Sequence, residues 1–214
     1  GRRSIISGNE GDLTRALQEL AASLEGMHSS LCRMVEYCDP FMYFHRVRPY
    51  IHGWKNNPAL PNGLIYEGVS AYSGAGQILR GETGAQSSII PSLDGFLGVG
   101  HKDDPLKAYL MEMRLYMPPQ HRKFLEATEN GPSTRDFVAA CSANIELEKH
   151  YNSCVELVER FRSKHLEYAI SYIAKQAQRD PSNPSQVGTG GTPFVQYLTK
   201  HRDETGEHKL QQTP

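Results

Sequence analysis

The chain has 214 residues, 38% hydrophobic and 22% charged, which is enough apolar material for one folded domain with a sizeable core. A formal net charge of −1 gives no electrostatic basis for binding nucleic acid or an anionic membrane surface. No apolar run approaches the roughly 20 residues of a bilayer span.

The first ten residues begin Gly1-Arg2-Arg3-Ser4, without a Met or an apolar signal core, so they read as a disordered start on a piece of a longer chain. A helix is predicted over 12–38, because Leu13, Leu17, Leu20, Leu24, Met27, Leu31, Met34 and Cys38 alternate steps of four and three. Asp39-Pro40 breaks it, since proline cannot continue the ladder. An aromatic-rich helix is expected over 40–53, followed by turn chemistry at 56–63 (NNPALPNG) and an extended loop over 70–84. Further helices are expected over 85–97, 105–116 and 119–127, with Pro119 suited to a first turn. Ser133 is placed to cap another helix running to Ala140. The longest helix is predicted over 143–178, with Leu147, Tyr151, Cys154, Val155, Val158, Phe161, His165, Leu166, Ala169 and Ile173 on one broad face. A mobile Gly-rich loop over 180–192 (DPSNPSQVGTGGT) and a short helix over 193–201 follow. The domain is expected to occupy 11–201, and 202–214 reads as a polar, disordered tail. Strand signals are scarce, so the fold class is all-α, a multi-helix, bundle-like domain.

Four cysteines, at 32, 38, 141 and 154, form no CxxC pair, which suggests reduced thiols in a cytoplasmic protein. The histidines form no HExxH or zinc-like pair with cysteine. His165 stands out because the longest helix places it on its apolar face. A histidine there is ordinarily a satisfied core residue, yet a neutral imidazole also suits haem iron. Arg162, one turn earlier, is either a solvated helix charge or, if haem is bound, a partner for a haem propionate. Phe44 and Arg48 are four apart and share a helix face. A planar guanidinium there can grip a carboxylate with two parallel bonds, although half-buried aromatic anchors explain the stretch as well. The glycines at 188–191 alone read as a flexible linker.

Residues 162–168 (RSKHLEY), on a long helix followed by GTGGT at 188–192, resemble the haem-ligand helix and mobile loop of the indoleamine 2,3-dioxygenases. Four further segments match that family in the same order: 44–58 (FHRVRPYIHGWKNNP), 63–68 (GLIYEG), 81–88 (GETGAQSS) and 116–121 (YMPPQH). The resemblance runs from Leu13 to Leu198. It implies a haem-binding domain with haem b and with His165 as the proximal iron ligand. Arg162 and Asp94 would stand near the haem propionates, and Leu31, Ile90, Tyr168, Phe194 and Leu198 would line the haem. In the substrate pocket, Phe44 would pack on the indole and Arg48 would hold the amino acid's carboxylate. Thr189 and Gly190 would close over the substrate, with Thr83 and Gly84 close to both haem and substrate.

Two departures stand within the motifs. Tyr43 occupies a position that is Phe in the mammalian members, and GETGA replaces a pattern closer to GGSAG, which alters the pocket. The implied reaction is insertion of O2 across the indole C2–C3 bond of L-tryptophan, giving N-formylkynurenine. The family also has a smaller N-terminal domain that would precede Gly1 and act as this domain's partner. Two other classes remain open: a non-catalytic, oxygen-binding haem protein of myoglobin-like role, and a helical interaction module without cofactor.

Overall fold

The structure, a computed structural model, describes residues 1–178 and 188–211. In chain order the helices are α1 (Arg2–Ile6), α2 (Glu10–Cys32), α3 (Pro40–Met42), α4 (Arg48–Ile51), α5 (Ile89–Leu97), α6 (Pro105–Met113), α7 (Pro119–Glu129), α8 (Thr134–Ala140), α9 (Ile145–Ala169), α10 (Lys175–Ala177) and α11 (Phe194–Gly206). Among the described residues the only strand-like pairing is one antiparallel bridge, Leu64 with Gln77. The fold is all-α, as the periodicity predicts. The chain divides into two compact units, one of residues 1–35, 85–167 and 198–214, the other of 36–84 and 168–197.

The core of the first unit gathers Leu13, Leu17 and Leu24 of α2, Leu93 and Leu97 of α5, Val138 of α8 and a run along α9 from Leu147 to Val158. Two buried polar groups are satisfied inside it: Tyr151 OH donates to Leu97 O at 2.8 Å, and Cys154 Sγ to Leu17 O at 3.2 Å. Helix α2 begins earlier than expected because the Asn9 side chain accepts from Asp12 N at 3.0 Å. It ends at Cys32 in a tight turn over Arg33–Glu36. A tighter turn keeps i and i+3 on one side, so apolar spacing through Met34 fits either helix type. Ser133 caps α8 as predicted, accepting from Asp136 N at 3.1 Å.

Both ends of the chain differ from expectation. Arg2–Ile6 is helical, and Ile5 joins the core. Helix α11 continues to Gly206, five residues beyond its expected end, with Glu204 and Thr205 buried. Leu210 packs on the core, and its N–H donates to Asn152 Oδ1 at 2.8 Å. The polar composition of this stretch reads as solvated, whereas the structure spends those groups on internal partners. The tail beyond residue 211, and the loop over 180–187, lie outside the described residues.

In the second unit the aromatic helix is broken into three pieces. Asp39 caps α3 through Met42 N at 2.9 Å, a wide π-type turn covers Tyr43–Val47, and α4 follows. Pro49 has no N–H to return to the turn before it, which interrupts the regular i to i−4 ladder. A second wide turn, Ile170–Ala174, follows α9 and leads into α10. Such turns often mark functional segments.

Candidate functional site

The expected site residues fall in both units, and each set is described within its own. In the first unit, α9 carries Arg162 and His165, and α5 carries Asp94. Val158 is fully buried, but His165, two turns further along the same face, is exposed. The expectation of an inward, packed histidine is therefore corrected: at this level of α9 the buried positions are Arg162, Leu166 and Ala169, and His165 lies beside them. Arg162 takes the inward place, 7% exposed. The His165 pKa is lowered, by the protein around the ring first and by the Arg162 charge second. The ring is thus exposed by area, while the protein around it disfavours its charged form. It is neutral at pH 7 and has a nitrogen lone pair to offer a metal.

Arg162 Nη2 donates to Asp94 Oδ2 at 2.6 Å, and its Nη1 donates to Thr205 Oγ1. Burial alone would raise the Asp94 pKa, but Arg162, followed by His101, outweighs it and holds the carboxyl below its ordinary value. Arg162 is thus a fixed member of a buried pair. Leu31, Ile90 and Leu198, the expected apolar neighbours of haem, are half-buried in this unit.

In the second unit, Phe44 and Arg48 are both fully buried, and the Arg48 guanidinium lies 5.5 Å from the Phe44 ring centroid, within cation–π range. Burial pulls the Arg48 pKa below its usual value, while Tyr43 opposes the shift. Tyr43 packs edge-on against Tyr172 at 5.9 Å, and Tyr172 against Tyr168 at 5.7 Å. Tyr168 and Phe194 are each 8% exposed.

The Gly188–Gly191 end of the loop is tied down by one backbone and two side-chain-to-backbone hydrogen bonds. Gly53 N donates to Thr189 O at 3.2 Å, Thr189 Oγ1 donates to Glu82 O, and Arg80 Nη1 donates to Gly190 O at 3.0 Å. Thr83 is half-buried and Gly84 exposed, next in sequence to that contact. The Gly188–Gly191 segment borders a cavity of about 280 Å³ that is also lined by His52, Lys55, Arg80 and Gly81. A Cβ on Gly81 would lie 2.2 Å from Gly53 N and 2.3 Å from Thr189 O. Gly81→Ala is therefore expected to lower the unfolding free energy by about 1–3 kcal/mol, the range for overpacking. An unchanged urea midpoint would show that these segments part without cost.

Sequence reasoning missed Arg80, His101, His201, Glu204 and Thr205. The histidines were weighed only against metal-ligand spacings, and buried salt-bridge networks have no spacing of their own.

Among the described residues no group of three or more His, Cys, Asp or Glu could hold a bare metal ion. One accessible, neutral imidazole is a donor set that suits a haem iron, whose equatorial ligands come from the macrocycle. The model of the family described as indoleamine 2,3-dioxygenase matches residues 3–208. The chain belongs to this family. Indoleamine 2,3-dioxygenase 1 of Rattus norvegicus is 39% identical over 204 residues, 90% of this chain and 49% of that protein. Indoleamine 2,3-dioxygenase of Saccharomyces cerevisiae is 31% identical over 241 residues, 95% of this chain and 52% of that protein. A myoglobin of Haliotis madaka is 32% identical over 209 residues, 96% of this chain and 53% of that protein. The chain spans about half the length of the curated relatives it matches. Among the described residues, no helix of this indoleamine 2,3-dioxygenase family member is long and apolar enough to cross a membrane.

Proposed function

We propose that this chain is the haem-holding part of a dioxygenase that adds both atoms of O2 across the indole C2–C3 bond of L-tryptophan, giving N-formylkynurenine. The observation that carries the reading is the accessible, neutral imidazole of His165 on α9, in a chain that belongs to this family. When bound, the haem supplies the oxygen chemistry, and the protein's task is ligation, orientation and exclusion of water. His165 would hold the iron. Arg162 and Asp94, paired with each other, fix the helix turn before it. Leu31 and Leu198, half-buried in the same unit, would provide apolar surface for the macrocycle. The sequence has no CxxCH attachment motif, so a non-covalent haem b fits. All four cysteines are thiols, which agrees with a reducing, cytoplasmic setting.

Phe44 packs the indole, Tyr43 and Thr83 border it, and Arg48 orients the substrate carboxylate. Arg48 is fully buried, so a carboxylate reaches it only when the side chains around it move aside. Thr189, Gly190 and Gly84 close the site on the loop side, excluding water and fixing the indole. The family resemblance implies a smaller N-terminal domain acting as this domain's partner.

The test uses reduced, haem-loaded, full-length protein with L-tryptophan and O2, assayed for N-formylkynurenine. Turnover is expected, and Arg48→Ala should lower it on the order of 100-fold, the scale of a misplaced substrate. Turnover unaffected by that substitution would overturn the carboxylate role. The similarity to the Haliotis madaka myoglobin supports a second reading, oxygen carriage. Reversible O2 binding without product would favour it.

A further inference from the structure

The first unit contains a buried polar cluster larger than the Asp94–Arg162 pair. His101, in the loop between α5 and α6, has Nδ1 2.6 Å from Glu204 Oε2 and Nε2 3.5 Å from Asp94 Oδ2. Arg162 shares that same Asp94 oxygen and reaches α11 through Thr205. Both ring nitrogens of His101 therefore face a carboxylate oxygen. A neutral imidazole has one N–H and would turn a lone pair towards the other carboxylate, whereas the imidazolium donates to both.

The other charged neighbours include cations as well: the Arg162 charge opposes the protonated form. Lys200 of α11 lies 3.4 Å from Glu204 Oε1 and also pairs with Asp104, the N-cap of α6. The His201 ring packs against that of His101, with centroids 4.4 Å apart and the planes tilted by 40°. Burial, then the His101 charge, pushes the His201 pKa down to about 4, so this neighbour is uncharged. With His101 protonated, three cations (His101, Arg162, Lys200) meet three carboxylates (Asp94, Asp104, Glu204). Loss of its proton leaves an uncompensated negative charge among buried groups, which is costly.

We propose that His101 is a positioning residue: as an imidazolium it ties Asp94, and through it Arg162, to α11, fixing the α9 turn from which His165 projects. The consequence for His165 rests on the haem reading above. Burial and, less strongly, the Arg162 charge oppose the charge on His101, but the hydrogen bond and charge of Asp94 and the bond to Glu204 outweigh them and raise the pKa. A raised folded-state pKa means the clamp contributes fully below the ordinary imidazole value. The contribution is lost as pH rises through the raised value.

The test follows the iron–histidine stretching band of reduced, haem-loaded, full-length protein across pH. A step is expected as His101 releases its proton, and His101→Gln should abolish that step. The same substitution should weaken haem retention on the order of 10- to 100-fold, the range for outer partners of metal ligands. Glu204→Gln keeps the side-chain shape, removes one carboxylate, and should move the step to lower pH. An unaltered step in His101→Gln overturns the proposal. In the haem-free protein, nitrogen NMR of the imidazoles should show His101 titrating above the ordinary value of about 6.5. Titration at or below that value overturns the proposal too. Should the wild-type protein take up no haem, the functional reading fails, and the NMR result still decides whether His101 bridges the carboxylates.

Discussion

His165→Ala is expected to leave the haem-free protein as stable as the parent and to remove its Soret band on reconstitution. The two effects separate because of where the side chain sits. An exposed group away from caps and ion pairs contributes little to the fold, within about 0.5 kcal/mol on substitution. Its imidazole is nevertheless the donor on α9 that is both accessible and neutral at pH 7. Exogenous imidazole should enter the space left by the ring and restore the band, which a collapsed variant could not do. A full Soret band in His165→Ala, with unchanged ligation by resonance Raman, would place the iron ligand elsewhere.

Asp94→Ala is expected to destabilise the protein by about 3–5 kcal/mol, because it leaves the buried Arg162 guanidinium without its carboxylate. The urea midpoint should fall with the slope preserved. Replacing both partners, Asp94→Leu with Arg162→Met, should recover much of that loss, since removing a buried pair together is often neutral. If the double substitution is as damaging as the single one, packing rather than charge explains the effect. The pH dependence carries the opposite sign to that of His101. The folded-state pKa of Asp94 is depressed, so its contribution is present above the unfolded value of about 3.9 and is lost as pH falls through the folded value.

The sequence made the helices legible and their packed depth much less so. The α2 stripe from Leu13 to Leu24 and the α9 stripe from Leu147 to Val158 are both in the core because burial follows a 3.6-residue period. Periodicity predicts the direction in which His165 points but not whether protein covers that direction at its level along the axis. The same gap hid the role of Glu204 and Thr205: polar residues near a chain end read as solvated, and only tertiary contacts show that Arg162 and His101 use them. The π-type turn at Tyr43–Val47 leaves a visible cause in Pro49, although the regular helix it interrupts was the simpler expectation. Family resemblance supplied the roles of Phe44, Arg48 and Thr189, none of which spacing alone would assign.

The mutual approach of Gly53 and Gly81 has a consequence for how this chain can vary. A Cβ on Gly53 would lie 2.0 Å from Gly81 N, and one on Gly81 would lie 2.2 Å from Gly53 N. Each glycine is thus required by the other's main chain, which has no side chain to shorten. A clash between side chains can be relieved by trimming the neighbour, but this one has no such second-site suppressor. Drift at either position is blocked independently, and a random-mutagenesis screen should return glycine at both.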